Sequence, residues 1–112
     1  MSHNEMTPLP SQEFFESLIK PAVPHEPIVM IRFGASWCGP CQRLDTKALL
    51  DLSPQITWYY CDLDENDYTP GYCGVKSIPS FLAIVNGSPQ PIFQSSDTAK
   101  VIDWMRGGFK KA

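Results

Sequence analysis

A buried strand that runs directly into a closely spaced cysteine pair constrains this chain more than any other feature. Residues 28–33 (IVMIRF) form a nearly continuous apolar and β-branched run, which is typical of a strand covered on both faces. Cys38 and Cys41 follow within a few residues, separated only by Gly39 and Pro40. A helix that begins inside this motif places Cys38 at its N-terminus. The sequence therefore predicts a strand-to-helix turn that carries two thiols.

The rest of the chain alternates between helical and strand patterns around that turn. The predicted elements begin with a short edge strand near 6–9, a helix capped by Ser11 and ended by Pro21, a turn at 24–27 and the strand at 28–33. A helix through residue 52, a strand at 56–63 and a short helix within 64–74 follow. The last elements are a strand at 79–87 that ends in an Asn86-Gly87 hairpin, its partner at 91–94, and a helix capped by Ser95, Ser96 or Asp97. The first half is a βαβ unit with parallel strands, and the second half is a hairpin followed by a helix. This order predicts an α/β fold with a mixed sheet that helices cover on both faces.

Length and composition favour one domain spanning residues 1–112, with a polar lead-in at 1–10. The 112 residues, of which 43% are hydrophobic, suffice for a core without metal or disulfide support. The net charge of −3 and the lack of a basic cluster longer than Lys110-Lys111 are evidence against nucleic-acid binding. No apolar run reaches the ~20 residues that cross a bilayer, and the N-terminal residues do not resemble a secretory signal. We therefore expect a cytoplasmic monomer.

The spacing of Cys38 and Cys41 suits thiol–disulfide exchange. The helix dipole and the free backbone N–H groups at a helix N-terminus favour a thiolate, so the pKa of Cys38 should fall below the ordinary value of about 8.5. Cys41 lies one turn later on the same side and is less exposed, where it can attack the mixed disulfide that Cys38 forms with a substrate. Gly39 allows a tight turn, and Pro40 fits the first helical turn. Trp37 offers an apolar platform for a docking chain.

Other roles for these cysteines are less favoured. A zinc site needs four ligands, but the remaining cysteines, Cys61 and Cys73, are too far apart in sequence to form a second closely spaced pair, and both histidines are remote. Inert thiols or a purely structural disulfide would not explain Trp-Cys-Gly-Pro-Cys at a strand-to-helix junction. No Gly-rich nucleotide loop is present, so we expect no bound cofactor and no metal.

The active-site motif and two further segments resemble the thioredoxin family. The resemblance rests on FGASWCGPC (33–41), which contains the motif, on YCGVKSIPSF (72–81), and on the Asn86-Gly87 pair between the last two strands, and it covers about residues 11–109. It implies the thioredoxin fold, in which a central mixed sheet of four to five strands is flanked on both faces by about four helices.

The resemblance also implies a substrate-binding surface. Members of the family carry a cis proline before the third strand, and Ile78-Pro79-Ser80 stands at that place. A cis Pro79 would turn the Ile78 backbone toward the dithiol, where an extended substrate peptide can pair with it as a strand. The residues expected to bind substrate around Cys38 are Trp37, Gly39, Pro40, Ile78 and Pro79.

Three positions depart from the family's usual pattern. Arg32 stands where members carry a buried Asp beneath the resolving cysteine, Tyr60 where the next strand often has a lysine, and Gly34 where many have an aromatic residue. An arginine cannot act as a base. If Arg32 lies near the dithiol, we expect it to modulate the pair by stabilising the thiolate, raising the reduction potential and slowing resolution by Cys41. If Arg32 extends into solvent, it has no such effect.

The remaining cysteines and the acidic loop have simpler interpretations. Cys61 and Cys73 are expected to be buried free thiols. Some family members use an extra cysteine near the position of Cys73 for regulation, so the resemblance makes Cys73 a possible regulatory thiol. The acidic residues within 62–67 either form a solvated loop or select basic substrates.

The resemblance implies a protein-disulfide reductase in which Cys38 and Cys41 cycle between dithiol and disulfide, with a role in electron transport and cell redox homeostasis. Its partners would be proteins with disulfides and, as electron donor, a flavin- and NADPH-dependent thioredoxin reductase. No nucleic-acid or membrane partner is expected. Two alternatives stay open: a redox-independent binding subunit on the same fold, and a more oxidising disulfide oxidase or isomerase.

Overall fold

The computed structural model describes residues 6–20 and 27–110 and shows a mixed sheet between two layers of helices. In chain order the elements are β1 (Thr7–Pro8), α1 (Gln12–Leu18), β2 (Ile28–Gly34), α2 (Gly39–Gln42), α3 (Thr46–Asp51), β3 (Thr57–Asp62), α4 (Tyr68–Cys73), β4 (Ser80–Val85), β5 (Ser88–Pro89), β6 (Phe93–Gln94) and α5 (Thr98–Arg106). No helix in these ranges has the length and apolar character that crossing a bilayer requires.

The strand that leads to the cysteine pair lies at the centre of the sheet. The strand order is β1-β3-β2-β4-β5, and β6 also pairs with β4. β2 pairs with β3 in parallel, which confirms the predicted βαβ unit, and it pairs with β4 in antiparallel orientation. Met30, Ile31 and Phe33 on β2 have 0% exposure. Because successive side chains on a strand point to opposite faces, this burial confirms that both faces of β2 are covered.

The alternation along β2 and β3 sorts the core into two clusters, one on each face of the sheet. The cluster on the α3/α5 face contains Met30, Leu44, Leu49, Ile56, Trp58, Phe81, Ala83, Val101, Trp104 and Phe109. The cluster on the α1/α4 face contains Leu9, Phe15, Val29, Ile31, Phe33, Cys61, Leu82 and Ile84. Arg32 and Gly34 alternate with Ile31 and Phe33, so they point to the same face as Met30.

The single helix predicted after the cysteines is instead two short helices, α2 and α3. The break occurs because Asp45 caps α3: its side chain accepts the Ala48 N–H at 3.0 Å. The Asp45 N–H is donated to the Thr98 hydroxyl at 3.0 Å, so the break is also held by the start of α5. The apolar spacing of Leu44 and Leu49 concealed this cap, since both side chains are buried on the same face.

The Asn86-Gly87 hairpin is confirmed, but its second strand differs from the prediction. Both turn residues adopt left-handed conformations, with φ of 51° and 80°, which an Asn-Gly pair favours. The returning chain pairs first as β5 and then as β6, instead of as one strand at 91–94. Pro89 and Pro91 lack the N–H that a continuous ladder needs, so the strand is interrupted.

These two breaks account for the differences in the number of elements. The described residues form six strands and five helices, where four to five strands and about four helices were expected. The helix caps at Ser11 and Asp97 are confirmed by their hydrogen bonds to Phe14 N–H and Ala99 N–H. Pro21 and most of the turn at 24–27 lie outside the described residues, as do residues 1–5 of the lead-in.

Candidate active site: the Cys38–Cys41 disulfide

The two cysteines of the motif form a disulfide where β2 gives way to α2. Their Cα atoms are 5.3 Å apart. The Cys38 N–H donates to the Ala35 carbonyl at 3.1 Å, which closes the turn after the strand. Cys38 is 4% exposed and Cys41 2% exposed, so the second cysteine is the less accessible one, as predicted.

Cys38 is the N-cap of α2, and its sulfur takes the place that a serine or aspartate oxygen often holds. Cys38 Sγ accepts the Cys41 backbone N–H at 3.1 Å. Pro40 occupies the first turn, where its missing N–H leaves no bond unmade. A backbone N–H directed at this sulfur stabilises a thiolate there once the disulfide is reduced.

Exposed apolar surface lies next to Cys38. Trp37 is 66% exposed, and Gly39 and Pro40 are also exposed. The Trp37 indole N–H donates to the Asp64 carboxylate at 3.1 Å, so the ring is held by the acidic loop that follows β3. The arrangement offers a fixed aromatic face to a docking chain.

The Ile78–Pro79 peptide bond is cis, as expected, and it lies beside the disulfide. Ile78 packs against the small cluster of Ala35, Cys38 and Cys41. Pro79, which we expected to bind substrate, has a fully buried side chain. It precedes Ser80, which pairs with both Phe33 and Gln94 in the middle of the sheet.

Comparison with known proteins identifies the family to which this site belongs. The thioredoxin family model matches residues 5–107. This chain belongs to the thioredoxin family. Thioredoxins are disulfide oxidoreductases that act on disulfides in protein substrates, and this chain carries the cysteine pair of that chemistry as a disulfide.

Individual thioredoxins show the extent of the likeness. The chain is 34% identical to the M-type chloroplastic thioredoxin of Brassica napus over 83 residues, which are 71% of this chain and 45% of that protein. It is 36% identical to the thioredoxin of Geodia cydonium over 75 residues, 65% of this chain and 69% of that one. The oxidised mitochondrial thioredoxin 3 of Saccharomyces cerevisiae has the same fold, with a TM-score of 0.80 at 23% identity over 94% of this chain and 97% of that chain.

Arg32 lies beside the disulfide, where thioredoxins usually have an acid. Its Nη2 donates to the Cys41 carbonyl at 3.0 Å, so of the two placements considered the one near the dithiol is correct. Burial lowers the pKa of the guanidinium, but an arginine stays charged at any physiological pH. Its Nε is buried and has no hydrogen-bond partner among the described residues.

Tyr60 is the neighbour of Arg32 on the adjacent strand. The two residues are directly opposite in the β2–β3 register, and the guanidinium carbon lies 5.3 Å from the centre of the Tyr60 ring. Burial, with a smaller contribution from Asp62, raises the pKa of the Tyr60 phenol, although Arg32 opposes this shift. The hydroxyl therefore stays protonated and can donate a hydrogen bond at neutral pH.

Cys61 and Cys73 are free thiols away from the redox pair. Cys61 is buried in the cluster on the α1/α4 face, and Cys73 packs against that cluster. Burial raises the pKa of Cys61 to about 11 and that of Cys73 to about 12, and Cys61 adds to the shift of Cys73. Full burial of Cys73 was expected, but its side chain is only partly covered because it ends the short helix α4.

Two residues near the site were missed by the sequence analysis as contacts. Asp64 was grouped with a solvated acidic loop, whereas it fixes the Trp37 indole. Tyr60 was noted only for replacing a lysine, and nothing in the single sequence shows that it lies opposite Arg32 and beside Gly34. Within the described residues, no three His, Cys, Asp or Glu side chains are placed to hold a metal ion.

Proposed function

We propose that this chain is a protein-disulfide reductase that works by thiol–disulfide exchange through a mixed disulfide. The observation that carries the proposal is the Cys38–Cys41 disulfide whose first sulfur accepts the Cys41 N–H at the start of α2. The same sulfur can thus be held as a stabilised thiolate or joined to its neighbour.

The first step is attack on the substrate. With the pair reduced, the Cys38 thiolate attacks one sulfur of a substrate disulfide, and a Cys38–substrate disulfide forms. The substrate S–S bond breaks, and its other sulfur leaves as a thiolate that takes a proton from water.

The second step is resolution by Cys41. Its thiol loses a proton to water, and the thiolate attacks Cys38 Sγ to form the Cys38–Cys41 disulfide, which releases the second substrate thiolate. The second substrate thiolate also takes a proton from water. Starting from the Cys38 thiolate and the Cys41 thiol, the protein loses two electrons and one proton, and the substrate gains two electrons and two protons to become a dithiol. Because Arg32 is no base, the proton of Cys41 leaves without help from a carboxylate at that position.

Substrate binding uses the surface around Cys38. Trp37, Pro40 and Ile78 supply apolar contacts, and the chain entering β4 at Ile78 offers backbone groups to an extended substrate peptide. Regeneration of the dithiol needs an electron donor, for which we infer a flavin- and NADPH-dependent thioredoxin reductase. A reducing compartment such as the cytosol suits this role, since it keeps thiols like Cys61 and Cys73 reduced.

Insulin reduction tests the proposal. The protein with dithiothreitol should reduce insulin disulfides, and Cys38→Ser should lower the rate to that of dithiothreitol alone. Cys61→Ser is the matched control, and it should keep at least half of the rate. A Cys38→Ser variant as active as the wild type would exclude the reductase. If Cys38→Ser, Cys41→Ser keeps full biological activity in cells, the chain acts instead as a binding subunit.

The reduction potential tests the role of Arg32. A cation beside Cys41 stabilises the thiolate of the reduced pair, so Arg32→Asp should favour the disulfide by at least about tenfold in a glutathione buffer, or about 30 mV. Arg43→Asp is the control, because Arg43 is exposed and the charge change is the same. Equal potentials for the wild type and Arg32→Asp would show that the guanidinium has no such effect. A strongly oxidising wild type would point to an oxidase or isomerase.

A further inference from the structure

The absence of a side chain at residue 34 leaves a space that Cys41 and Tyr60 share. A Cβ at Gly34 would lie 3.4 Å from Cys41 Sγ, 3.4 Å from Tyr60 Cε1 and 3.5 Å from the Tyr60 hydroxyl. The sulfur and the phenol therefore border the same small volume at the end of β2. A methyl group would fit there in ordinary contact, whereas a larger side chain would have to displace one of them.

The Tyr60 ring also fixes the position of the Arg32 guanidinium. The cation lies over the ring at 5.3 Å and reaches the Cys41 carbonyl with Nη2. An arginine over an aromatic ring gains a favourable interaction with the negative face of the ring. The ring and the Cys41 backbone thus hold the guanidinium from two sides.

Within the part of the chain that the structure describes, the charge held in this way has no counter-ion. Within the described residues, no carboxylate forms an ion pair with Arg32, and its buried Nε has no acceptor. A partly buried cation is costly unless it is paired. The anion that arises here during turnover is the thiolate formed when the disulfide opens.

We propose that Tyr60 is a positioning residue for the redox pair: its ring holds the Arg32 guanidinium at the Cys41 backbone carbonyl, and its hydroxyl borders the same space at Gly34 as the sulfur that leaves when the disulfide opens. The inference deepens the proposed function, on which it rests. It assigns the Arg32–Tyr60 pair, with the gap at Gly34, as the device that stabilises negative charge on Cys41.

The step concerned is the reductive opening of the disulfide. An external thiolate attacks Cys38 Sγ and forms a new S–S bond, while the Cys38–Cys41 bond breaks and its electron pair passes to Cys41 Sγ. The thiolate forms on the residue whose backbone carbonyl binds the Arg32 guanidinium, and its sulfur borders the same space as the Tyr60 hydroxyl. A thiol with a lower pKa is a better leaving group. Groups that stabilise the Cys41 thiolate therefore accelerate the opening of the disulfide.

The test compares two variants of Tyr60 with a neighbouring control. Tyr60→Phe keeps the ring and removes the hydroxyl, and Tyr60→Leu removes both. Tyr59→Phe makes the same change one residue earlier on β3, on the opposite face of the sheet. The measurements are the rate at which excess dithiothreitol opens the protein's own disulfide, the equilibrium of the pair with glutathione, and the thermal unfolding midpoint.

We expect Tyr60→Phe to slow the opening about three- to tenfold, because the leaving thiolate loses the stabilisation that the hydroxyl supplies and a less stable thiolate leaves more slowly. Tyr60→Leu should slow it further and shift the glutathione equilibrium toward the disulfide, because the guanidinium loses its support. Tyr59→Phe should stay within twofold of the wild type in both measurements.

Two results would overturn the inference. One is that both Tyr60 variants open within twofold of the wild type with an unchanged equilibrium. The other is that Tyr59→Phe has the same effect as Tyr60→Phe, which would indicate a general response of the strand. If the first result is accompanied by a loss of thermal stability, Tyr60 has a packing role only.

The result is separable from the proposed function, because the opening assay contains no protein substrate. A wild type that opens normally but never reduces insulin would exclude the reductase. The effect of Tyr60 on the disulfide would still be measured in that case.

Discussion

The chain has two pairs of cysteines, and they differ in the groups that surround their sulfur atoms. Cys38 and Cys41 lie after the end of β2, joined as a disulfide, with a backbone N–H on the first sulfur and a guanidinium on the backbone carbonyl of the second cysteine. Cys61 and Cys73 lie in the layer on the α1/α4 face, and burial raises the pKa of both thiols. The four cysteines therefore differ in reactivity. Among the described residues, groups that can stabilise an anion lie next to Cys38 and Cys41, whereas Cys61 and Cys73 lie in apolar packing.

The difference shows that spacing alone does not make a reactive pair. The C-x-x-C spacing brings a sulfur to a helix N-cap, and the cap supplies the N–H that favours the thiolate. Cys61 packs in the apolar cluster on the α1/α4 face, and its thiol donates to the Asn66 carbonyl at 3.7 Å, an acceptor that cannot stabilise a thiolate. The following predictions test this contrast, beginning with the largest effect.

Trapping of a substrate should separate the two pairs completely. Without its resolving thiol, Cys41→Ser should accumulate a mixed disulfide between Cys38 and a protein substrate, because nothing releases it. Cys73→Ser should accumulate none. Non-reducing electrophoresis with a disulfide substrate measures the adduct. An adduct in Cys38→Ser, or equal trapping by Cys73→Ser, would contradict the assignment of the reactive pair.

Alkylation rates should differ by about a hundredfold or more. At pH 7 a thiol with a pKa of about 11 is ionised in only about one molecule in 10⁴, so Cys61 and Cys73 should react very slowly in the reduced protein. Cys38 should react fast. Peptide mass spectrometry after a pulse of iodoacetamide gives the rates, and the same pulse in denaturant should equalise them. A Cys73 labelled as fast as Cys38 in the folded protein would refute the contrast.

Alkaline pH should destabilise the fold through the buried thiols. The pKa of Cys61 is about 11 in the folded chain against an ordinary value of about 9, so the folded state keeps a proton that the unfolded state loses. The contribution to the free energy of unfolding is complete below about pH 9 and is lost as the pH rises through the folded-state pKa, on the order of 2 kcal/mol.

Denaturant unfolding of the oxidised protein between pH 8 and 11.5 measures this loss. Cys61→Ala should be less stable at pH 8 because it leaves a small cavity, but its stability should fall less steeply with pH. Cys73→Ala should show the same direction, because the pKa of Cys73 is also raised. Parallel curves for the wild type and Cys61→Ala would mean that Cys61 does not contribute.

The smallest expected effect concerns the exposed apolar surface next to the redox pair. Asp64→Ala removes the acceptor of the Trp37 indole N–H, an exposed hydrogen bond worth about 0.5 to 1 kcal/mol, so KM for a protein substrate should rise about two- to fivefold. Asp67→Ala is the control, since it removes the same charge from the same loop and its side chain makes no cap bond. Equal changes in KM would indicate a general charge effect instead of a fixed Trp37.

Sequence reasoning predicted the parts of the fold that depend on local chemistry. The burial of β2, the caps at Ser11 and Asp97 and the Asn86-Gly87 turn each follow from residue types at fixed offsets. The break between α2 and α3 was missed because the Asp45 cap is supported by Thr98, a residue far along the chain. Trp104 was also missed, since its burial depends on stacking against Phe93 at 4.7 Å.

Sequence reasoning likewise predicted some features of the site and missed others. The motif at Cys38 and the cis bond at Pro79 followed from the sequence and the family resemblance. The burial of Pro79 and the neighbours of Arg32 did not, because they depend on which strands pair and in what register. The distance from a residue on a neighbouring strand to Cys41 depends on how the strands pair, and this pairing cannot be read from a single sequence.

The alternation along β2 has a consequence for how this chain can change. Substitutions on one side of the strand alter the environment of the disulfide, and those on the other side alter the layer around Cys61, so the two can vary separately. Deleting one residue within Ile28–Gly34 would exchange the sides, and the guanidinium would enter the apolar layer beneath α1. The strand therefore tolerates replacement at single sites but not a shift in length by one.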